Sequence, residues 1–478
     1  MAEDLKHKTK VGMYWTFFNS ASTQIMQFVV GIIMARLLSP EDYGITALPA
    51  VFMAIAGVFM DGGFGQALIR KEMVSNDDLS TSFFYSFGMG ILMYLVMFCL
   101  SPYIAEFYNT PILTPLIRVT ALGFIWGPLG TVQGIILKRK LDFKTPARIS
   151  IIKMIIGSIV GISAAYAGYG VWALVLSGLV SGIIGLVLTW GVVKWVPKAK
   201  FNKNSFKYLW NYGNKLIGAN LIDITYNNVA PVVIGKFYSP SDLGVFNRAN
   251  GYAQLPVSQI SNILAGVTFP ILSKMSSDID RLAVIYRKMM KMTGFISFPV
   301  LFLLCALARP LVIVLLSEKW ESCVVMLQIM CIARMWHPLM VLNRSALQVT
   351  KRTDLYLKME VIKRAVNFIL MCVSLRFGII AFCCYQIVET VIAMCFNTHY
   401  TGKLLGVGLI TQTMDVCKFY ILSLIMFFLV IGINSLIDNM LLQIIVGGMV
   451  GVTFYATFSY IFRFEELKEV RYMLDKSK

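Results

Sequence analysis

A chain of 478 residues that is 57% hydrophobic, only 14% charged and has a mean hydropathy of +0.71 carries more apolar surface than one water-soluble core can hide. That composition excludes a soluble enzyme or binding module and makes the chain a polytopic membrane protein. A formal net charge of +18 could suit an anionic polymer, but the placement of the basic residues assigns it to topology instead.

Crossing a bilayer takes about 20 apolar residues. The first six segments of that kind are predicted near 11–36, 45–69, 81–100, 112–137, 149–167 and 171–193. They form an N-terminal six-helix bundle, 1–193, followed by a basic cytoplasmic linker, 194–215. Six more, near 216–237, 245–272, 292–316, 322–347, 360–376 and 379–401, form a second bundle, 216–401. Two further spans, near 416–433 and 440–462, and a charged cytoplasmic tail complete residues 402–478. Tight turns are expected at Gly168–Gly170 and Arg376–Gly378. No cleavable signal peptide is evident, so the first span is expected to direct its own insertion.

The basic residues orient this scheme. With both termini cytoplasmic, the loops on that side hold 31 of the 43 lysines and arginines, against five on the opposite side and seven within spans. This is the positive-inside asymmetry, with short basic loops facing acidic lipid.

The sequence repeats itself. Arg36-Leu-Leu-Ser-Pro-Glu-Asp-Tyr-Gly44 returns as Lys236-Phe-Tyr-Ser-Pro-Ser-Asp-Leu-Gly244, each ending an apolar run, with Asp42 or Asp242 expected as the next helix N-cap. Trp126-Gly-Pro128 returns as Trp336-His-Pro338, and Ile151-Ile-Lys153 as Val361-Ile-Lys363. An even number of spans per copy gives two like-oriented bundles related by a pseudo-two-fold axis along the membrane normal, with a cavity between them. The fold class is therefore all-α, with about fourteen transmembrane helices.

Catalytic machinery is not expected. The chain lacks a Gly-x-x-x-x-Gly-Lys-Ser/Thr phosphate cradle, its outer loops are short, and its nine cysteines show neither metal-ligand spacing nor a disulfide framework. The histidines, His7, His337 and His399, have no metal or nucleophile neighbours and read as polar packing residues. No cofactor or metal is predicted.

Charges inside the spans are the functional candidates, because each costs at least about 2.5–3.5 kcal/mol at a helix centre. The basic ones are Arg118, Lys153, Arg248, Arg334, Arg344, Lys363 and Arg364, and the acidic ones are Asp61, Asp223 and Glu389. That excess favours an anion such as a diphosphate. Lys153, Arg344, Lys363 and Arg364 also fit as interfacial anchors, and Arg118 and Arg248 lie close enough to the outer surface to snorkel. Asn220, Asp223, Asn227 and Asn228 share one helical face, which either glues helices or lines a sugar site. Asn19, Gln24 and Gln27 give the first span a similar face. Asp61, in Asp61-Gly-Gly-Phe-Gly65, marks a hinge or coupling group in a locally unwound helix, or a close packing site; Asp223 and Glu389 are the other coupling candidates.

Ala35–Gly44, Asp61-Gly-Gly-Phe-Gly-Gln-Ala-Leu-Ile69, and Ile234–Ala249 with Gln254-Leu-Pro256 resemble the Wzx-type polysaccharide flippases, closest to the WzxC-like group. These share a superfamily with the MATE drug exporters and the lipid II flippase (the multidrug/oligosaccharidyl-lipid/polysaccharide, or MOP, exporters). The resemblance implies a bacterial inner-membrane protein. It implies transfer of an undecaprenyl-diphosphate-linked oligosaccharide by alternating access through a basic cavity, for capsule, exopolysaccharide or O-antigen synthesis. A polymerase and a chain-length regulator are implied partners; membrane lipids are contacts, and nucleic acid is not. One departure is Ala230-Pro231, where relatives often carry an acidic residue. The last two spans, with Met426-Phe-Phe428 and Gly447-Gly448, either cradle the polyprenyl tail or brace the core. The alternatives are a cation-coupled multidrug exporter, which calls for an acidic cavity, and a non-transport scaffold of polysaccharide assembly.

Overall fold

The computed structural model describes residues 2–275, 278–350 and 352–469; the last residues of the expected tail, and the side chains of 1–14, lie outside that description. The described residues are helical with no strand. Each expected span overlaps one helix or a consecutive group of helices. Eleven segments are long and apolar enough to cross a membrane. One of them, the 48-residue Lys358–Leu405, folds back on itself at the turn Leu375–Phe377. The chain divides into two compact units, Met1–Gly244 and Val245–Lys478.

In the first unit, α1 (Ala2–Leu37) ends before the Ser-Pro turn, and α2 (Pro40–Ala47) starts on it. Both copies of the turn are built alike, and not with aspartate as the N-cap. Ser39 caps α2: its Oγ accepts from Asp42 N at 3.2 Å, while Asp42 Oδ2 accepts from Ser39 N at 2.9 Å. Ser239 and Asp242 repeat the pair at 3.1 Å in each direction. Proline starts each helix because its missing N–H is an orphan there anyway, which moves the cap one turn earlier and makes aspartate the returning arm of a capping box. The two copies also meet each other. A Cβ on Gly44 would overlap the carbonyl of Pro240, and one on Gly244 would overlap the carbonyl of Pro40, so only glycine fits at either place.

The second span is broken. After α3 (Ala50–Asp61) the chain passes through Gly62 and Gly63, at φ +59° and +71°, before α4 (Phe64–Arg70) begins. The sequence expectation of unwinding at these glycines matches the geometry, and the freed groups are answered. Gly63 N donates to Asp61 Oδ2 at 3.2 Å, and the hydroxyl of Tyr85, from α5 (Asn76–Phe107), donates to Phe59 O at 3.1 Å. Alanine at Gly62 would hold a left-handed conformation, costing about 1–2 kcal/mol, and would also collide with the Tyr85 ring. Gly62→Ala is expected to lower thermal stability in detergent by at least that amount. Gly57→Ala, with open space at its Cβ, is expected to be neutral or slightly stabilising.

The fourth span is α6 (Leu113–Thr120), α7 (Gly123–Trp126), a tight turn Gly127–Gly130 and α8 (Thr131–Arg139). Pro128 interrupts the helical ladder, and in the same turn the Leu129 carbonyl accepts from Trp190 Nε1 at 2.8 Å. On α8, Arg139 donates to the carbonyls of Leu68 and Lys71 at 2.6 Å and of Glu72 at 2.9 Å, closing the end of α4. α9 (Lys144–Tyr166) and α10 (Val171–Val192) pack closely through Gly157 and Gly161 against Ser177 and Ser181. The expected linker is irregular only as far as Asn202, whose side chain caps α11 (Lys203–Phe237). The lysines from Lys203 to Lys215 are therefore helical. Asn202 also pins the linker to α5 through Thr81 Oγ1 (3.0 Å) and Asp77 Oδ2 (2.9 Å). α11 packs on α3, α4 and α5 and belongs to the first unit.

α12 (Pro240–Lys274) runs on into the second unit, which continues through α13 (Ile279–Ala306), α14 (Ala308–Leu316), α15 (Ser322–Arg334) and α16 (His337–Val349). Next come α17 (Thr353–Ser374), α18 (Gly378–Leu405), α19 (Leu409–Asn434) and α20 (Met440–Ile461). Phe295, Phe298 and Phe302 of α13 pack with Leu339 and Leu342 of α16 and with Phe419, Leu422 and Met426 of α19. A buried polar knot crosses this core. Asn343 accepts from the hydroxyls of Tyr286 (2.9 Å) and Thr401 (2.8 Å) and donates to Gln412 (3.1 Å). The last two helices are thus part of the second unit's core. They keep an apolar outer face as well, with Phe428, Ile445 and Met449 exposed.

Candidate functional site

The second unit gathers four of its six candidate intramembrane charges, Arg334, Arg344, Lys363 and Glu389, around the break in its fourth span. Pro338 stops the ladder between α15 and α16, and the carbonyls left open are taken by hydroxyls: Thr390 donates to Ala333 O at 3.0 Å, and Ser297 to Met335 O at 2.9 Å. Arg334, the last residue of α15, is half-buried there. Its Nη1 donates to Gln254 Oε1 of α12 at 2.7 Å. Glu389 of α18 holds a hydrogen bond with Asn367 and lies in the field of Lys363 and Arg334. Lys363 pairs with Glu360 at 2.5 Å and reaches Asn397 at 3.5 Å. His337 lies in the field of Arg344, Arg334 and Lys363. Three cations, two carboxylates and several amides thus share one locus, a mixed network with one cation in excess. Such a network can hold an anion by trading an internal carboxylate for the ligand's oxygens.

The remaining candidates lie elsewhere. Arg118 Nε donates to Ser101 Oγ at 3.0 Å, and its guanidinium stacks 4.1 Å from the Phe98 ring centroid, so its charge rests on α5. Arg248 sits 6.0 Å from the ring centroid of buried Trp320. Lys153 faces a cavity inside the first unit. Asp61 is exposed beside the glycine break, as are Asp223 and Asn227 on α11. Asn228 turns back to its own helix, donating to Ile224 O at 2.8 Å, and Asn220 and Arg364 are half-buried.

Sequence reasoning missed Glu360, Gln254, Asn367 and Asn397. Glu360 had a signal, three residues before Lys363 on one helical face. Gln254 stood in the Gln254-Leu-Pro256 motif without an assigned role, and Asn367 and Asn397 had no signal, since the meeting of these amides depends on how α12, α17 and α18 pack.

The architecture, broken helices carrying charge at membrane depth inside helical bundles, is that of a multi-pass transporter. Its fold is similar to that of the lipid II flippase MurJ in an inward closed conformation, with a TM-score of 0.74 and 17% identity, over 95% of this chain and 98% of that one. An inward-facing multidrug resistance MATE family transporter of the MOP superfamily matches with a TM-score of 0.58 and 16% identity, over 80% of this chain and 95% of that one. The family model described as polysaccharide biosynthesis protein matches residues 33–325, and the chain belongs to that family. Among curated relatives, the teichuronic acid biosynthesis protein TuaB of Bacillus subtilis is 26% identical over 72% of each chain. The lipopolysaccharide biosynthesis protein WzxC of Escherichia coli is 24% identical over 75% of this chain and 73% of that one.

Proposed function

We propose that this protein is a flippase that carries an undecaprenyl-diphosphate-linked oligosaccharide from the inner to the outer leaflet of a bacterial cytoplasmic membrane, for synthesis of an extracellular polysaccharide. The observation that carries this reading is the pairing of a polysaccharide biosynthesis family with the fold of a lipid II flippase. The reading places both termini in the cytoplasm, on the strength of the basic loops. The diphosphate meets the Arg334–Lys363 network while the polyprenyl chain stays in lipid, and transport proceeds by alternating access. A polymerase and a chain-length regulator receive the product.

A drug exporter suits the same fold. The excess of cations over carboxylates around Arg334 argues against it, because a cationic drug would be repelled there. Removing the gene from its host is expected to abolish surface polysaccharide and to leave lipid-linked oligosaccharide on the inner leaflet. Undiminished polysaccharide export in such a strain would refute the assignment.

A further inference from the structure

The first unit holds a cavity of about 700 Å³ between the second span and α6 to α10, within the range of about 300–1,000 Å³ that takes a small organic ligand. Lys153, from α9, reaches into it with its stem along Gly185, and Trp126 lies beside Gly182. Those two glycines leave the space open: a Cβ at Gly182 would sit 3.2 Å from Trp126 Nε1, and one at Gly185 would sit 3.0 Å from Lys153 Cδ. No carboxylate lines the cavity. Among the described residues, the Lys153 ammonium, the Trp126 indole N–H and the buried Thr120 hydroxyl have no protein hydrogen-bond partner. An ammonium set without a partner in a largely apolar wall is costly, and an anionic ligand would repay that cost. Three unanswered donors, one charged and one on an aromatic platform, suit a saccharide group that bears an anion.

We infer that this cavity is an anionic-saccharide subsite inside the first bundle, separate from the Arg334 network, with Lys153 on the anion and Trp126 against the sugar. The proposal rests on the flippase reading for the identity of the glycan and deepens it. The anion has two possible sources, the diphosphate of the carrier lipid or an acidic sugar of the glycan.

The test measures binding to the full-length protein in nanodiscs, by calorimetry, with two probes: undecaprenyl diphosphate, which has no sugar, and digalacturonate, which has no phosphate. The wild-type protein is expected to bind at least one. Lys153→Met, which keeps the side-chain length, is expected to weaken that probe by about tenfold or more, and Lys153→Arg is expected to retain it. The probe that responds names the source. Equal binding by Lys153→Met and wild type, or no binding of either probe by wild type, overturns the subsite. Flipping by the same preparations separates the two ideas: flipping with Lys153→Met unaffected sinks the subsite alone, whereas a wild-type protein that moves no lipid-linked glycan sinks the flippase reading.

Discussion

Arg334→Ala is expected to reduce transport of the lipid-linked glycan at least about tenfold, the scale of one lost charge-assisted contact, while the protein still inserts. The side chain holds Gln254 at 2.7 Å and is one of two cations that act on Glu389. Its removal leaves both groups short of a partner, at a cost of about 1–3 kcal/mol in stability. The double variant Arg334→Ala with Glu389→Gln removes the orphaned carboxylate. It is expected to recover the stability and not the transport. Thermal unfolding in detergent and an export assay on the same variants check the two parts separately. Full transport by the double variant would reduce Arg334 to a structural ion.

The second large effect is expected at the paired turns. Gly44→Val would drive its side chain into the Pro240 backbone, which cannot yield as a flexible side chain could. Overpacking of this kind costs about 1–3 kcal/mol, and the two turns would be forced apart. A lower unfolding temperature and reduced export are expected from Gly44→Val and equally from Gly244→Val, since the contact is reciprocal. Gly251→Val, with nothing near its Cβ, is the control. Unchanged stability in both turn variants would show that the turns do not need this contact.

The class of fold was legible in the chain because bilayer length and apolar composition are properties of single segments. The break at Gly62-Gly63 was legible beside Asp61, whereas those at Pro128 and Pro338 were not, since Pro102, Pro231 and Pro299 stand inside continuous helices. The capping boxes were half legible. Ser and Asp were visible at both turns, but Pro at the first helical position shifts the start by a turn, which turned the expected cap into its partner. The basic stretch after residue 194 read as linker by charge, yet from Lys203 it is helix, because one side of α11 is buried on α3, α4 and α5 and charge alone does not break a helix. The site was the least legible part. Seven intramembrane cations stood out, but nothing along the chain signalled that Arg118 would stack on Phe98 or that Glu389 would share a locus with Arg334 and Lys363. Those facts depend on helix rotation, which a pattern of charges along one chain leaves open.

The central claim is that a network of fixed cations moves a diphosphate-linked glycan through this fold, and reconstitution in liposomes tests it most directly. Purified protein would be incorporated with a labelled undecaprenyl-diphosphate-linked oligosaccharide, and the leaflet of each glycan read with an enzyme that cannot cross the bilayer. Wild-type protein is expected to equilibrate the glycan between leaflets and Arg334→Ala to leave it where it began. Glycan that stays in its starting leaflet with wild-type protein, while a cationic drug is carried across, would contradict the account.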